Sequence, residues 1–134
     1  MKWNFLWLLW LPIWLAGCVV TDSSITNLTP TQLSRSSAGF YPVEIMWETN
    51  QRAVVDESIQ PVVQVGTNNF VMQRTKMTKN RWEALLPLEI GASNLLYRVR
   101  VDYQFYDVPV RRSNSQMSPM YELRVVNAPN APAP

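Results

Sequence analysis

The chain has 134 residues, with 12 Lys and Arg against 10 Asp and Glu, no histidine and one cysteine. A formal net charge of +2 is too small to mark a nucleic-acid binder or a partner of an acidic surface. Lacking histidine and a second thiol, the chain is barred from Ser/His/Asp and Cys/His catalysis, from the common zinc sites and from an intrachain disulfide.

The chain opens with one positive charge, Lys2, followed by an apolar run from Phe5 to Trp14 that leads into Leu15-Ala16-Gly17-Cys18. These are the charged, apolar and small-residue parts of an export signal. A bilayer-spanning helix needs about 20 apolar residues, whereas this run is interrupted by Pro12 and stops near Val20. Trp3, Trp7, Trp10 and Trp14 would share one helix face and are read as hydrophobic bulk discarded with the signal. Leu15, Ala16, Gly17 and Cys18 together resemble the lipobox of bacterial lipoproteins. The resemblance implies a diacylglyceryl group on the Cys18 thiol, cleavage before Cys18 and acylation, as by palmitate, of the new amino terminus. The protein is then expected on a membrane of the bacterial cell envelope. In that family an aspartate directly after the cysteine signals inner-membrane retention; here Val19 and Val20 follow and Asp22 lies too far along, so sorting to the cell outer membrane is expected. The resemblance covers residues 1–18 and specifies location, not activity.

Removal of the signal, residues 1–17, leaves 117 of the 134 residues, enough for one domain with a real core. Residues 18–39 are rich in Ser and Thr and read as the lipidated cysteine and a flexible tether, within which Ser24–Leu28 has strand character. Asn27-Leu28-Thr29 is formally a glycan sequon, which a bacterial lipoprotein is not expected to use. From Tyr41 the period becomes two, with Val43, Ile45 and Trp47 on one face. Thr49–Arg52 is a turn, and Pro61–Val65 and Phe70–Arg74 form a hairpin about Gly66 and Thr67–Asn69. Arg81–Leu88 places Trp82, Ala84 and Leu86 together. The longest strand signal is Leu95–Tyr106, with Tyr97, Val99, Val101, Tyr103 and Phe105 alternating with polar residues. Val108–Met117 reads as a polar loop carrying Pro109, Arg111 and Arg112, and Tyr121, Leu123 and Val125 mark the last strand. Residues 127–134 hold three prolines and no bulky side chain and read as a disordered tail.

Six or seven short strands with no helical pattern predict an all-β fold over 40–126, an antiparallel β-sandwich, with a closed β-barrel as the alternative. Leu88 followed by Tyr97-Arg98-Val99-Arg100-Val101 is similar to the later part of fibronectin type III and other immunoglobulin-like domains. That resemblance implies a tyrosine whose hydroxyl bonds back to the preceding corner, and a core tryptophan at Trp47.

The four glycines, at 17, 39, 66 and 91, make no phosphate-cradling loop. Asp56 with Glu57, or Asp102 with Asp107, are the remaining candidates for carboxylate-pair hydrolysis, but acids on strands and turns are ordinarily solvated, and no enzyme, cofactor or metal site is expected. Trp47 and Trp82 are read as core residues, the other use being a sugar platform. Arg98, Arg100 and Arg124 form either a cationic ladder for anionic glycans or headgroups, or salt bridges to Asp102, Glu122 and Glu83. Arg111 and Arg112 offer a contact to a partner from their loop. The expected function is a lipid-anchored, non-catalytic structural or protein-binding sandwich, contacting the membrane through the Cys18 acyl groups. The alternatives are a carbohydrate- or peptidoglycan-binding module, or an accessory subunit of a secretion or surface-appendage complex that pairs with a partner strand along a sheet edge.

Overall fold

Strict alternation of apolar and polar residues builds two sheets that can be buried only against each other. The computed structural model of the protein describes residues 23–127; Leu15–Cys18 and residues 128–134 of the tail lie outside them. The strands are β1 (Ser23–Asn27), β2 (Gln32–Ser34), β3 (Phe40–Thr49), β4 (Gln60–Val65), β5 (Asn68–Val71), β6 (Gln73–Arg74), β7 (Arg81–Pro87), β8 (Asn94–Asp107), β9 (Val110–Met117) and β10 (Tyr121–Val126). One sheet has the order β1-β3-β7-β6, the other β2-β10-β8-β4-β5, with β9 also on β8. These orders correspond to the ABED and GFC sheets of an immunoglobulin-like sandwich. An antiparallel, immunoglobulin-like β-sandwich is therefore the fold.

The core follows from the pleat. Tyr41, Val43, Ile45 and Trp47 of β3 face Leu95, Tyr97, Val99, Val101 and Tyr103 of β8, joined by Val63, Trp82, Leu86, Leu123 and Val125. Trp47 is 4% and Trp82 7% exposed, so neither offers a face to a sugar. The Trp47 indole N–H donates to Gln116 Oε1 at 2.9 Å, and the ring lies 4.9 Å from that of Tyr103. Arg74 caps the Trp82 ring at 4.6 Å.

Several sequence expectations are corrected. Residues 23–34, read as tether, are part of the sandwich: the strand character of Ser24–Leu28 is β1, which pairs antiparallel with β3 from Ser23↔Thr49 to Asn27↔Ile45, and the unforeseen β2 runs parallel to β10. The chain crosses between the sheets at Thr29, whose hydroxyl accepts from Glu44 N–H at 2.9 Å and donates to Glu44 C=O at 3.2 Å. Pro30 follows, where no N–H is required. Phe70–Arg74 is two strands, because the chain changes sheets at buried Met72. The hairpin turn before it is Gly66-Thr67, bounded by the pair Val65↔Asn68, and Gly66 takes the positive φ of +57° that such a two-residue turn favours.

The largest correction is within Val108–Met117, where, after a turn at Val108 and Pro109, Val110–Met117 is a strand and not a loop. β9 pairs with β8 in continuous register from Asp107↔Val110 to Arg100↔Met117. Most of its residues are exposed on both faces, so no apolar alternation marks it. Its inward positions are amides instead: Asn114 donates to the Tyr103 hydroxyl at 2.9 Å, and Gln116 accepts from Trp47. At Ser118 the strand breaks, and the Ser118 hydroxyl accepts from Val99 N–H at 2.8 Å while its own N–H donates to Val99 C=O at 2.8 Å. β10 then continues along the same side of β8.

The corner bond implied for Tyr97 is also absent. Its hydroxyl lies 3.1 Å from Asn27 Oδ1, at the end of β1, so it ties the first strand to the core. Burial pushes the Tyr97 pKa up from the usual tyrosine value, against the hydrogen bonds to Thr29 and Asn27, which lower it. A raised native pKa means that stability is whole below about pH 10 and declines as pH rises toward the native value. Replacing Tyr97→Phe is expected to flatten the loss of stability in alkaline denaturant titrations; an unchanged alkaline slope would count against this coupling. Trp82→Ala is expected to cost about 3–5 kcal/mol, and Val99→Ala somewhat less. Glu122→Ala, on the wet face, should stay within roughly 0.5 kcal/mol in the same urea titrations.

Candidate binding surface

Polar and exposed apolar groups gather at one end of the sandwich, where β8 and β9 project as a hairpin. An open cleft of about 750 Å³ lies at its base, lined among others by Ser58, Gln60, Asp102, Gln104, Ser113 and Ser115. A 3₁₀ turn at Asp56–Ser58 forms one wall, because the Ser58 hydroxyl accepts from Gln104 N–H at 2.8 Å and donates to Val55 C=O at 2.6 Å. Two acids line the cleft, Glu57 and Asp102, and Asp102 is engaged, accepting from Ser115 at 2.6 Å and from Arg100 at 3.0 Å.

The two carboxylate pairs do not form. Asp102 and Asp107 lie five residues apart on β8, about 17 Å along the strand and on opposite faces, and Asp107 is bound to Arg112 at 2.8 Å. Asp56 pairs with Arg74 at 3.0 Å and stands beside Glu57 in the turn, not across a cleft from it. Among the described residues no three acids converge as metal ligands.

The arginines divide into three groups. Arg98 and Arg100 are neighbours on the outer face of β8, where Arg98 donates to Gln64 at 3.0 Å and Arg100 to Asp102. Arg124 does not extend this pair into a ladder: β10 sets it opposite Asn94, four residues or about 13 Å along β8 from Arg98, and it bonds Glu122 at 3.2 Å. Of the three expected acidic partners, Asp102 and Glu122 are used; Glu83 lies on β7 in the other sheet. Arg111 and Arg112 sit on β9. Arg111 lies over the Tyr106 ring at 4.9 Å and donates to its hydroxyl.

Sequence reasoning passed over the apolar tip of the hairpin. Val108 is 90%, Val110 55% and Tyr106 50% exposed, and none has a core to serve. The signal was the apolar pair around Pro109 in an otherwise polar stretch.

No protein-family model and no curated protein sequence matches this chain. Among solved structures the chain resembles murine CRIg at a TM-score of 0.43 and 14% sequence identity, covering 78% of this chain and 99% of that one.

Proposed function

We propose that this chain is a bacterial lipoprotein whose immunoglobulin-like sandwich binds another protein or supports the envelope without catalysing a reaction. The observation that carries the reading is Leu15-Ala16-Gly17-Cys18 placed directly after a short apolar run with one leading cation. The arrangement of the sandwich supports it. Asp102 and Asp107 are each neutralised by an arginine, which leaves them poorly suited to act as a general base. Burial of Trp47 and Trp82 favours a protein partner over a glycan, since an aromatic sugar platform requires an open ring face. Outer-membrane sorting follows from Val19 and Val20 at the positions after the cysteine.

One observation favours the strand-pairing alternative. Among the described residues β9 pairs only with β8, so its other edge offers eight residues of backbone to a partner strand. Arg111 and Arg112 on that edge would favour an acidic partner.

Substituting Cys18→Ser is expected to abolish incorporation of an alkyne-labelled fatty acid and to leave the unprocessed precursor. A variant that is still cleaved and still labelled would remove the lipobox reading. In sucrose gradients of native host membranes the parent protein should band with outer-membrane markers; banding with the inner membrane would overturn the sorting assignment. Soluble envelope glycans are expected to leave the fluorescence of the mature protein unchanged, whereas quenching would bring back the glycan-binding reading.

A further inference from the structure

The chain enters the sandwich at the end from which the hairpin projects. β1 begins at Ser23, opposite Thr49 at the close of β3. The Ser23 carbonyl accepts from the Gln116 amide, and its hydroxyl lies 3.4 Å from that of Tyr103. Beyond Tyr103, β8 runs on to Asp107 before the chain turns at Val108 and Pro109. The tip therefore overhangs the start of β1 by about five residues of strand, roughly 17 Å. Five residues also separate Cys18 from Ser23, and even fully extended they reach only about 17 Å. A lipid on Cys18 is therefore within reach of the level of the hairpin tip when the intervening segment runs extended toward it.

The chemistry of the tip suits that position. Val108, Pro109 and Val110 form an apolar point, and behind them stand Tyr106 and the guanidinium groups of Arg111 and Arg112. Arg52 lies in the adjoining loop, where the Ala53 carbonyl accepts from Tyr106 N–H at 3.0 Å. Three arginines against Asp107 and Glu57, which shares the cleft with Arg111, leave one net positive charge around the point. An apolar tip with an aromatic and cations behind it matches the layering of a bilayer surface, where apolar groups enter the acyl region and tyrosine and arginine sit among anionic headgroups.

We propose that the β8–β9 tip, Val108-Pro109-Val110, dips into the bilayer that holds the Cys18 acyl chains, and so seats the sandwich upright on the membrane. This rests on the lipoprotein reading. Three apolar side chains are too few to recruit a free protein stably, since even one myristoyl chain binds reversibly. The anchor removes that requirement, because it makes the tip contact intramolecular and its effective concentration high. The opposite end of the sandwich, with exposed Phe40 and Ile90, then faces away from the membrane and is free to meet a partner.

Cys18 is the only cysteine, and acylation blocks it, so a single introduced thiol can report on position. The full-length lipidated protein would be reconstituted in vesicles of phosphatidylethanolamine and phosphatidylglycerol, with the fluorophore NBD placed at Val108→Cys, at Val110→Cys as a second tip position, or at Ile90→Cys as the far-end control. The expected result is blue-shifted emission at 108 and 110 that spin-labelled lipid quenches, with water-like, unquenched emission at 90. Protein that floats with the vesicles while the labels at 108 and 110 remain in water overturns the proposal alone and assigns the tip to a soluble or protein contact. Unsubstituted protein that takes up the label at Cys18, or fails to float, overturns the anchor and the proposal with it.

Discussion

The two sheets are held together by the facing interiors of β3 and β8. Immunoglobulin-like domains commonly bridge these strands with a disulfide whose second cysteine lies two residues after the corner tyrosine. Here that place is taken by Val99, fully buried, and the chain has no pair of thiols to replace it. Packing of Val43, Ile45 and Trp47 against Val99, Val101 and Tyr103 must do the work that a crosslink would otherwise share. β8 also carries both neighbours of its sheet, β4 on one side and β10 then β9 on the other, so loss of its inward face would release most of the pairing in that sheet.

What could be read from the sequence was whatever is half-buried. β3, β7, β8 and β10 each alternate apolar and polar residues because one face meets the core and one meets water, and that alternation places Trp47, Trp82 and Tyr97 inward without any structure. β2 and β9 were hidden for the opposite reason, and β1 showed only as the strand character of Ser24–Leu28. β1 and β2 are short edge strands joined by a sheet-changing corner, where Thr29 and Pro30 serve geometry more than burial. β9 is wet on both sides, and its inward amides obey hydrogen bonding, which has no hydropathy period. Site geometry was less legible still. That Arg98 and Arg100 share a face follows from a period of two, but the distance of Arg124 from them depends on the register of β10, which no local pattern encodes. Tyr97 likewise bonds Asn27, seventy residues away.

The hairpin end is joined in a different manner from the middle of the sandwich. Added to the packing of Trp47, Tyr103 and Phe105 it has a set of side-chain bonds: Ser23 to Thr49 at 2.8 Å, Trp47 to Gln116, Asn114 to Tyr103, and Gln116 to the Ser23 backbone. These bonds link the first residue of β1, the last of β3 and the hairpin into one unit. They are directional, so they fix the angle of the hairpin in a way that non-directional apolar contacts would not. They are also only partly buried, and each contributes modestly, about 0.5–1.5 kcal/mol net. This end is therefore given its orientation by hydrogen bonds as well as by packing.

Edge protection gives the same polarity. β1 and β2 lengthen the first segment across both sheets and cover one side of each, while β5 and β6 are too short to template much pairing. β9 is the exception, an eight-residue edge with few buried atoms and two arginines near its start. A long open edge invites aggregation unless charge, twist or a neighbour blocks it. Arg111 and Arg112 supply charge close to the tip, but Ser113, Asn114 and Ser115 supply none, and the middle of β9 stays open to backbone pairing. If the tip is seated in a bilayer, the arginine-bearing part of that edge lies at the headgroups and only the middle remains accessible from the side. A partner strand would then have to approach parallel to the membrane, which would limit pairing to proteins held at the same surface.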